Sequence, residues 1–165
     1  MFRVGELDRA DWRFFKTGPV QLFRSGEVLD QALRDLGELE YLPLRWNLEP
    51  DDGFRRAVSK QLKWQAQFGY VDWSGNLDAL NDGLRAEPFG SSDRSVIVLE
   101  NFDRFRERDS LYAFKLLDVL AMASWDYMLF GKALLCFVHT NNPDLETPKL
   151  AGRAASWNDK ERRRF

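Results

Sequence analysis

Cysteine and histidine are almost missing from this sequence, since each occurs once in 165 residues, as Cys136 and His139. A lone cysteine cannot form an intramolecular disulfide, so a packed core must hold the fold, and a reducing cytoplasm is the expected location. Without a second histidine, a cysteine cluster or a serine in a sharp strand-to-helix turn, His139 is a poor candidate for catalysis. The sequence therefore predicts no metal site and no cofactor.

Long apolar runs are also lacking. No hydrophobic stretch approaches eighteen residues, so the pattern predicts no membrane-spanning helix. The opening MFRVGELDRADW mixes acids with apolar residues and has no hydrophobic centre of the kind that secretory signals carry. With 44% hydrophobic and 14% aromatic residues, the chain has the composition of a globular domain with one substantial core.

Positive charge is missing from one stretch and concentrated in another. Residues 64–84 contain no lysine or arginine but three aspartates, Asp72, Asp78 and Asp82. Residues 149–165 hold six basic residues against two acids, a net charge of +4 in a chain whose formal net charge is -2. A purely negative patch repels nucleic acid and attracts basic proteins, whereas a basic terminus can bind nucleic-acid phosphates.

Hydrophobic spacing predicts alternating strands and helices. Alternating or continuous apolar residues mark the predicted strands, which are 11–15, 19–23, 41–48, 95–101 and 133–138. Three-four spacing marks the predicted helices, which are 25–39, 51–68, 76–84 and 110–129. Three stretches are predicted to lack regular structure: a loop at 69–75, a solvated turn at 100–109 and a polar segment after Pro143.

Strands separated by helices imply parallel pairing, so the predicted fold class is α/β. We expect a small parallel three-stranded sheet, packed with helices and formed by the strands at 41–48, 95–101 and 133–138. The expected organisation has three parts: an N-terminal strand-strand-helix extension packed on the core (1–40), the core domain (41–140) and a polar, basic C-terminal tail (141–165).

The short predicted helix NLDALNDGL, residues 76–84, has two distinct faces. Asn76 is a favourable N-cap. At 100° per residue, three leucines fall together on one side of this helix: Leu77, Leu80 and Leu84. Asp82 then points away from the leucines, with Asp78 close to it. The helix is therefore expected to bury its leucines and to display two carboxylates.

Helix stability alone does not account for these carboxylates. Aspartates four residues apart on a helix repel each other by about 0.2–0.5 kcal/mol, and Gly83 costs up to ~1 kcal/mol relative to alanine. One interpretation is a solvated polar face at a helix start, and the other is a face that meets a cationic partner. Tyr70 and Trp73, just before the helix, are either interface anchors or, for Trp73, part of the core.

The stretch WSGNLDALNDGL resembles the signature of barstar-type ribonuclease inhibitors. In that family, an aromatic-and-glycine loop leads into an Asn-Leu-Asp-Ala-Leu helix with a second acid one turn later. The predicted order of strands and helices over residues 41–140 also matches. The resemblance implies a barstar-like fold and a non-enzymatic, cytoplasmic immunity protein that binds and blocks the active site of a secreted nuclease toxin.

The resemblance also implies roles for individual residues. The second acid corresponds to Asp82, which would occupy the place of the RNA phosphate, and the first to Asp78, which would pair with arginine or lysine. Trp73 corresponds to the loop aromatic, and the backbone at Ser74 and Gly75 would lie against the partner. The remaining residues of this expected surface are Asp72, Asn76 and Asn81.

The chain departs from the family pattern at this same surface. Asn81 stands where the best-known member has tryptophan, and Asp72 and Trp73 stand where it has a tyrosine pair. The loop glycine is displaced by one position, to Gly75. These differences leave open which nuclease is the target, and whether it cleaves RNA or DNA.

Two other functions fit parts of the sequence. An RNA-associated accessory protein would act through the basic tail, whose last residues are KERRRF. A small hydrolase would use clustered acids, for which Glu100, Asp103 and Asp78 are the candidates.

Overall fold

A computed structural model describes residues 4–85, 89 and 92–162 of the chain. Within these residues a short 3-10 helix at Val4–Glu6 precedes the α-helices, which are α1 (Ala10–Thr17), α2 (Gly26–Gly37), α3 (Asp51–Gln61), α4 (Trp64–Phe68), α5 (Leu77–Arg85), α6 (Phe102–Arg108), α7 (Ser110–Leu129) and α8 (Asp159–Arg162). The strands of the same residues are β1 (Val20–Phe23), β2 (Leu42–Asn47), β3 (Arg94–Glu100), β4 (Ala133–His139) and β5 (Ser156–Trp157).

The strands form one sheet in the order β2-β3-β4-β1-β5, and each neighbouring pair is parallel. Side chains of β3 alternate between its two faces. Ile97 and Leu99 pack into the cluster that includes α3, α5 and α7, whereas Val96 and Val98 pack with α1 and α2. Helices thus cover both faces, which is why the central strands read as continuous apolar runs.

The predicted α/β class is confirmed, but the three-stranded count is wrong. β1 pairs with β4, and β5 pairs with β1, so Leu22 lies between Val138 on one side and Trp157 on the other. These two strands come from the segments before and after the expected core domain. Hydrophobic spacing identified β1 as a strand, but it does not reveal a pairing partner near the other end of the chain.

The strand predicted at 11–15 is also wrong, because these residues belong to helix α1. Asp11, Phe14 and Phe15 are its buried residues, and their three-four spacing is that of a helix face. The carboxylate of Asp11 is held by the guanidinium of Arg9 at 2.7 Å and by the hydroxyl of Tyr41 at 3.1 Å. The N-terminal segment is therefore helix–strand–helix rather than strand–strand–helix.

Two further boundaries differ from the prediction. The helix expected at 51–68 is interrupted because Lys63 adopts the left-handed conformation, with φ 50°, between α3 and α4. The turn expected at 100–109 contains helix α6 instead. Phe102 and Phe105 lie on the buried face of α6, and their spacing of three residues was obscured by the alternating charges around them.

The C-terminal segment packs on the body through residue 162 instead of forming only the predicted polar loop. The carboxylate of Glu161, which is 2% exposed, accepts hydrogen bonds from the backbone N–H groups of Arg24 at 3.2 Å and Ser25 at 2.8 Å. Lys160 pairs with Asp35 at 3.3 Å. Two described charges of the tail are therefore used in contacts within the chain.

Replacing Glu161 with alanine should destabilise the fold. The change leaves two backbone donors without their acceptor, so we expect the free energy of unfolding to fall by about 1–3 kcal/mol. Urea denaturation followed by tryptophan fluorescence measures this loss. Glu161→Gln is the control, because its side-chain oxygen can still accept and the loss should be smaller. An alanine variant with an unchanged denaturation midpoint would show that this contact is not structural.

Candidate functional site

Helix α5 has the two faces that its sequence predicts. Leu80 and Leu84 are completely buried, and Leu77 packs partly buried against the same core cluster. The side chain of Asn76 caps the helix, since its Oδ1 accepts a hydrogen bond from the backbone N–H of Ala79 at 3.0 Å. The leucines thus hold α5 against the protein and set the direction of its outer face.

The outer face of α5 carries exposed acids. Asp78 and Asp82 are both exposed, and neither forms an ion pair with any residue that the structure describes. Asn81 lies beside Asp82 and is half-buried, and its Oδ1 accepts no hydrogen bond within the described residues. The predicted arrangement of the helix is confirmed, whereas the role of these side chains in binding stays a prediction.

Gly83 permits close packing beneath α5. A Cβ atom at this position would lie 2.7 Å from Cζ3 and 3.3 Å from Cη2 of Trp64. The carbonyl of Gly83 also accepts a hydrogen bond from the side-chain amide of Gln67 at 3.1 Å. Glycine has a low helix propensity, but a larger side chain at this position would clash with Trp64 of α4. The close approach of α4 therefore explains the glycine, and the sequence alone did not reveal it.

Trp73 lies in the core, which is one of the two positions that the sequence left open, and its ring is therefore not an exposed interface anchor. Its side chain is 1% exposed and contacts the rings of Phe54 and Trp64, with centroids 5.4 and 6.3 Å away. Its indole N–H donates to the carbonyl of Asn76 at 2.7 Å, and its backbone N–H donates to Ser59 at 2.8 Å. Trp73 therefore positions the loop that leads into α5.

The rest of this loop is accessible. Asp72, Ser74 and Asn76 are exposed, and Gly75 is half-buried. Gly75 has a φ of +94°, in the left-handed region that favours glycine. The two residues before Asp72 are also exposed, Tyr70 by 51% and Val71 by 60%. The sequence pattern points to Tyr70 but not to Val71, which is an isolated β-branched residue without a recognisable pattern.

The hydroxyl of Tyr112 holds the loop from the side of α7. It donates a hydrogen bond of 2.6 Å to the carbonyl of Gly75. Burial raises the pKa of Tyr112 to about 12, so the hydroxyl keeps its proton at neutral pH. The guanidinium of Arg55 lies against Gly75 as well, since its Nε is 3.4 Å from the place of an added Cβ. Loop and helix together present an acidic surface on a fixed support.

A comparison with protein families matches the part of the chain that contains this surface. The family described as Barstar (barnase inhibitor) matches residues 48–139, which is more than half of the chain. The chain belongs to the barstar family. A search of curated proteins and a search of solved structures each found no significant match.

The barstar match runs from the end of β2 through β4, so it includes the loop, α5 and the helices that support them. Barstar is an inhibitor of barnase, so the family indicates a protein of the ribonuclease-inhibitor type whose partner is a protein. The strands β1, β2 and β5 lie outside the matched range.

Asp126, late in α7, lies next to a cation at the end of α5. It lies beside α5, since its carboxylate is 3.9 Å from Nε of Arg85. Both side chains are largely exposed, at 42% and 56% respectively, so the pairing is weak.

The acids considered for a hydrolase are not assembled into one site. Asp103 accepts hydrogen bonds from the hydroxyl of Thr140 and the backbone N–H of Asn141, both at 2.6 Å. Glu100 pairs with Arg45 at 2.6 Å. Among the residues that the structure describes, no group of three potential metal ligands is found, and no helix is long and apolar enough to span a membrane.

Replacing Gly83 with alanine should destabilise the protein although alanine favours helices. The added methyl group would displace Trp64, and we expect a loss of about 1–3 kcal/mol against a propensity gain of up to ~1 kcal/mol. Thermal unfolding measures the difference. Gly37→Ala is a matched control, because no atom lies within 4 Å of its added Cβ. If both variants unfold alike, Trp64 does not constrain α5.

Replacing Tyr112 with phenylalanine should loosen the loop before α5. Loss of the hydrogen bond to Gly75 should cost about 0.5–1.5 kcal/mol and speed hydrogen exchange of the amides at 74–77. Tyr127→Phe is the control, since its hydroxyl donates to the carbonyl of Leu84 at the other end of the helix. Faster exchange at 74–77 in the control but not in Tyr112→Phe would contradict this assignment.

Proposed function

We propose that the protein is an immunity protein that binds a nuclease toxin and blocks its active site with the acidic surface of α5. The observation that carries this proposal is the pair of exposed carboxylates on Asp78 and Asp82, unpaired within the described residues and held on a helix anchored by buried leucines. The barstar match supports a protein partner of the ribonuclease type.

The chemistry of a nuclease cleft explains why carboxylates suit this task. A cleft that binds phosphodiesters must be cationic, and a carboxylate offers two acceptor oxygens that arginine can grip together. Asp82 would take the position of the substrate phosphate, and Asp78 would pair with a neighbouring arginine or lysine. Repulsion between the two acids would be relieved when the cationic cleft closes over both.

The loop before α5 would complete the contact. The side chains of Asp72, Ser74, Asn76 and Asn81 would face the partner, and the backbone at Ser74 and Gly75 would lie against it. Trp73, which is buried under the loop, would contribute to binding only indirectly, by fixing the loop conformation. Asn81 takes the place of an aromatic residue in the best-known family member, so the target's surface opposite it is expected to be polar.

The biological setting follows from the danger of a nuclease to the cell that makes it. The inhibitor would act in the cytoplasm, where stray toxin meets the cell's own nucleic acids. Complementary charge speeds the encounter of inhibitor and toxin, and this acceleration weakens as salt screens the charges. We therefore expect the complex to form faster at low ionic strength.

Co-expression with nucleases encoded beside the chain's own gene tests the proposal. Wild-type protein should protect cells and form a salt-sensitive complex, whereas Asp82→Ala should weaken binding by roughly 10–100-fold, since hydrogen bonds to charged groups contribute about 1.5–3 kcal/mol. Asp78→Ala should weaken it less. Calorimetry at two salt concentrations measures both effects.

Asp144→Ala is the matched control for these variants. Asp144 is an exposed acid in the C-terminal segment, beside Trp157 rather than α5, and its loss should leave the affinity unchanged. If the Asp78→Ala/Asp82→Ala double variant protects cells as well as wild type, the acidic helix is not the inhibitory surface.

A further inference from the structure

A block of positive charge precedes the acidic surface along the chain. Residues 53–63 contain Arg55, Arg56, Lys60 and Lys63 and no aspartate or glutamate, whereas residues 72–84 contain three aspartates and no lysine or arginine. The uncharged residues 64–71 separate the two blocks, and the acidic block begins at Asp72, within the loop proposed for partner binding.

Three of these cations surround one shallow cavity. Arg56 and Lys60 are exposed one turn apart on α3, and Lys63 is exposed in the turn that follows the helix. The cavity that they line has a volume of about 370 Å³. We call it the basic pocket, defined by Arg56, Lys60 and Lys63.

The basic pocket adjoins the acidic loop. Its lining also includes Val71, Asp72 and Trp64. The indole N–H of Trp64 is buried and has no hydrogen-bond acceptor within the described residues. The pocket is therefore bordered by three cations, one acid and a buried aromatic side chain.

The three cations are not explained by contacts within the protein. None of them forms an ion pair with a described residue, although Arg45, Arg108 and Lys160 elsewhere on the surface do. Lys60 and Lys63 gain some stability at the C-terminal end of α3. Arg56 does not, and it repels Lys60 one turn away. An anionic group outside the chain would satisfy all three.

We propose that the basic pocket receives a carboxylate side chain from the rim of the nuclease, beside the cationic cleft that α5 enters. The interface is then bipolar: acids of α5 meet a basic cleft, and cations of α3 meet an acidic rim. This inference rests on the proposed function and adds a property of the partner, which must carry acids at that place.

A protein carboxylate fits this pocket better than nucleic acid does. Asp72 forms part of the wall and repels a polyphosphate chain, but it tolerates a single carboxylate held by three cations. The exposed side chains of Tyr70 and Val71 offer apolar contact to a folded rim. The pocket also excludes wrong partners, because a nuclease with a basic rim would be repelled.

The proposal predicts that removing the cations of the basic pocket weakens binding to the nucleases of the co-expression experiment, whereas removing cations elsewhere does not. In the triple variant Arg56→Gln/Lys60→Gln/Lys63→Gln, loss of the carboxylate contact should weaken binding about tenfold or more. The control Lys16→Gln/Arg34→Gln/Lys149→Gln removes equal charge from exposed positions outside the pocket. This control variant should bind the nuclease with unchanged or slightly higher affinity, because removing cations from the inhibitor reduces its repulsion from the cationic cleft.

A pocket variant that binds as tightly as the control, or tighter, overturns the bipolar interface. Asp82→Ala, measured alongside, separates the two claims. If Asp82→Ala weakens binding but the pocket variant does not, the proposed function stands and only this inference fails. If neither change weakens binding, both fail.

Binding of small probes tests the ligand chemistry without a nuclease. Acetylated triglutamate and a ten-nucleotide RNA would each be titrated while the indole N–H resonance of Trp64, assigned with Trp64→Phe, is followed by NMR. The peptide should shift this resonance in wild type and not in the triple variant. Stronger, pocket-dependent binding of RNA would overturn the carboxylate assignment, and so would the absence of a shift with either probe.

Discussion

The packing of aromatic rings beneath α5 is the constraint on which the acidic surface depends. Trp64 lies where a side chain at Gly83 would have to be, and Trp73 fills the space between Phe54 and Trp64. These contacts fix both the helix and the loop that precedes it. In the proposed complex, a flexible acidic segment would lose backbone freedom on binding, whereas the backbone of α5 and its loop has already lost that freedom on folding.

The parts of the structure that follow from local pattern were predictable from sequence. The leucine spacing and the Asn76 cap gave the position and orientation of α5, and the apolar runs gave β3 and β4. Features that depend on distant contacts were not predictable. Trp73 in an otherwise exposed loop is the clearest case, because the sequence left core and surface open and only contacts such as that with Phe54, far from it in sequence, decide between them.

Segments outside the family match widen the sheet. β1 and β5 extend it on the side of β4, and Val20 and Leu22 of β1 lie in the same core cluster as Leu80 and Leu84 of α5. The sequence predicted β1 as a strand but not its position in the sheet. β5 was not predicted, because the composition after Pro143 is polar. The sheet is therefore wider at the β4 edge than the predicted core domain alone would make it.

The position of β1 has a consequence for the time at which the protein becomes complete. β1 precedes the other four described strands along the chain, but both of its neighbours, β4 and β5, follow it by more than 100 residues. Contacts between such distant segments form slowly. The sheet therefore cannot enclose β1 until β4 and β5 have been synthesised and have left the ribosome, so β1 stays an uncovered strand for most of the time that translation takes.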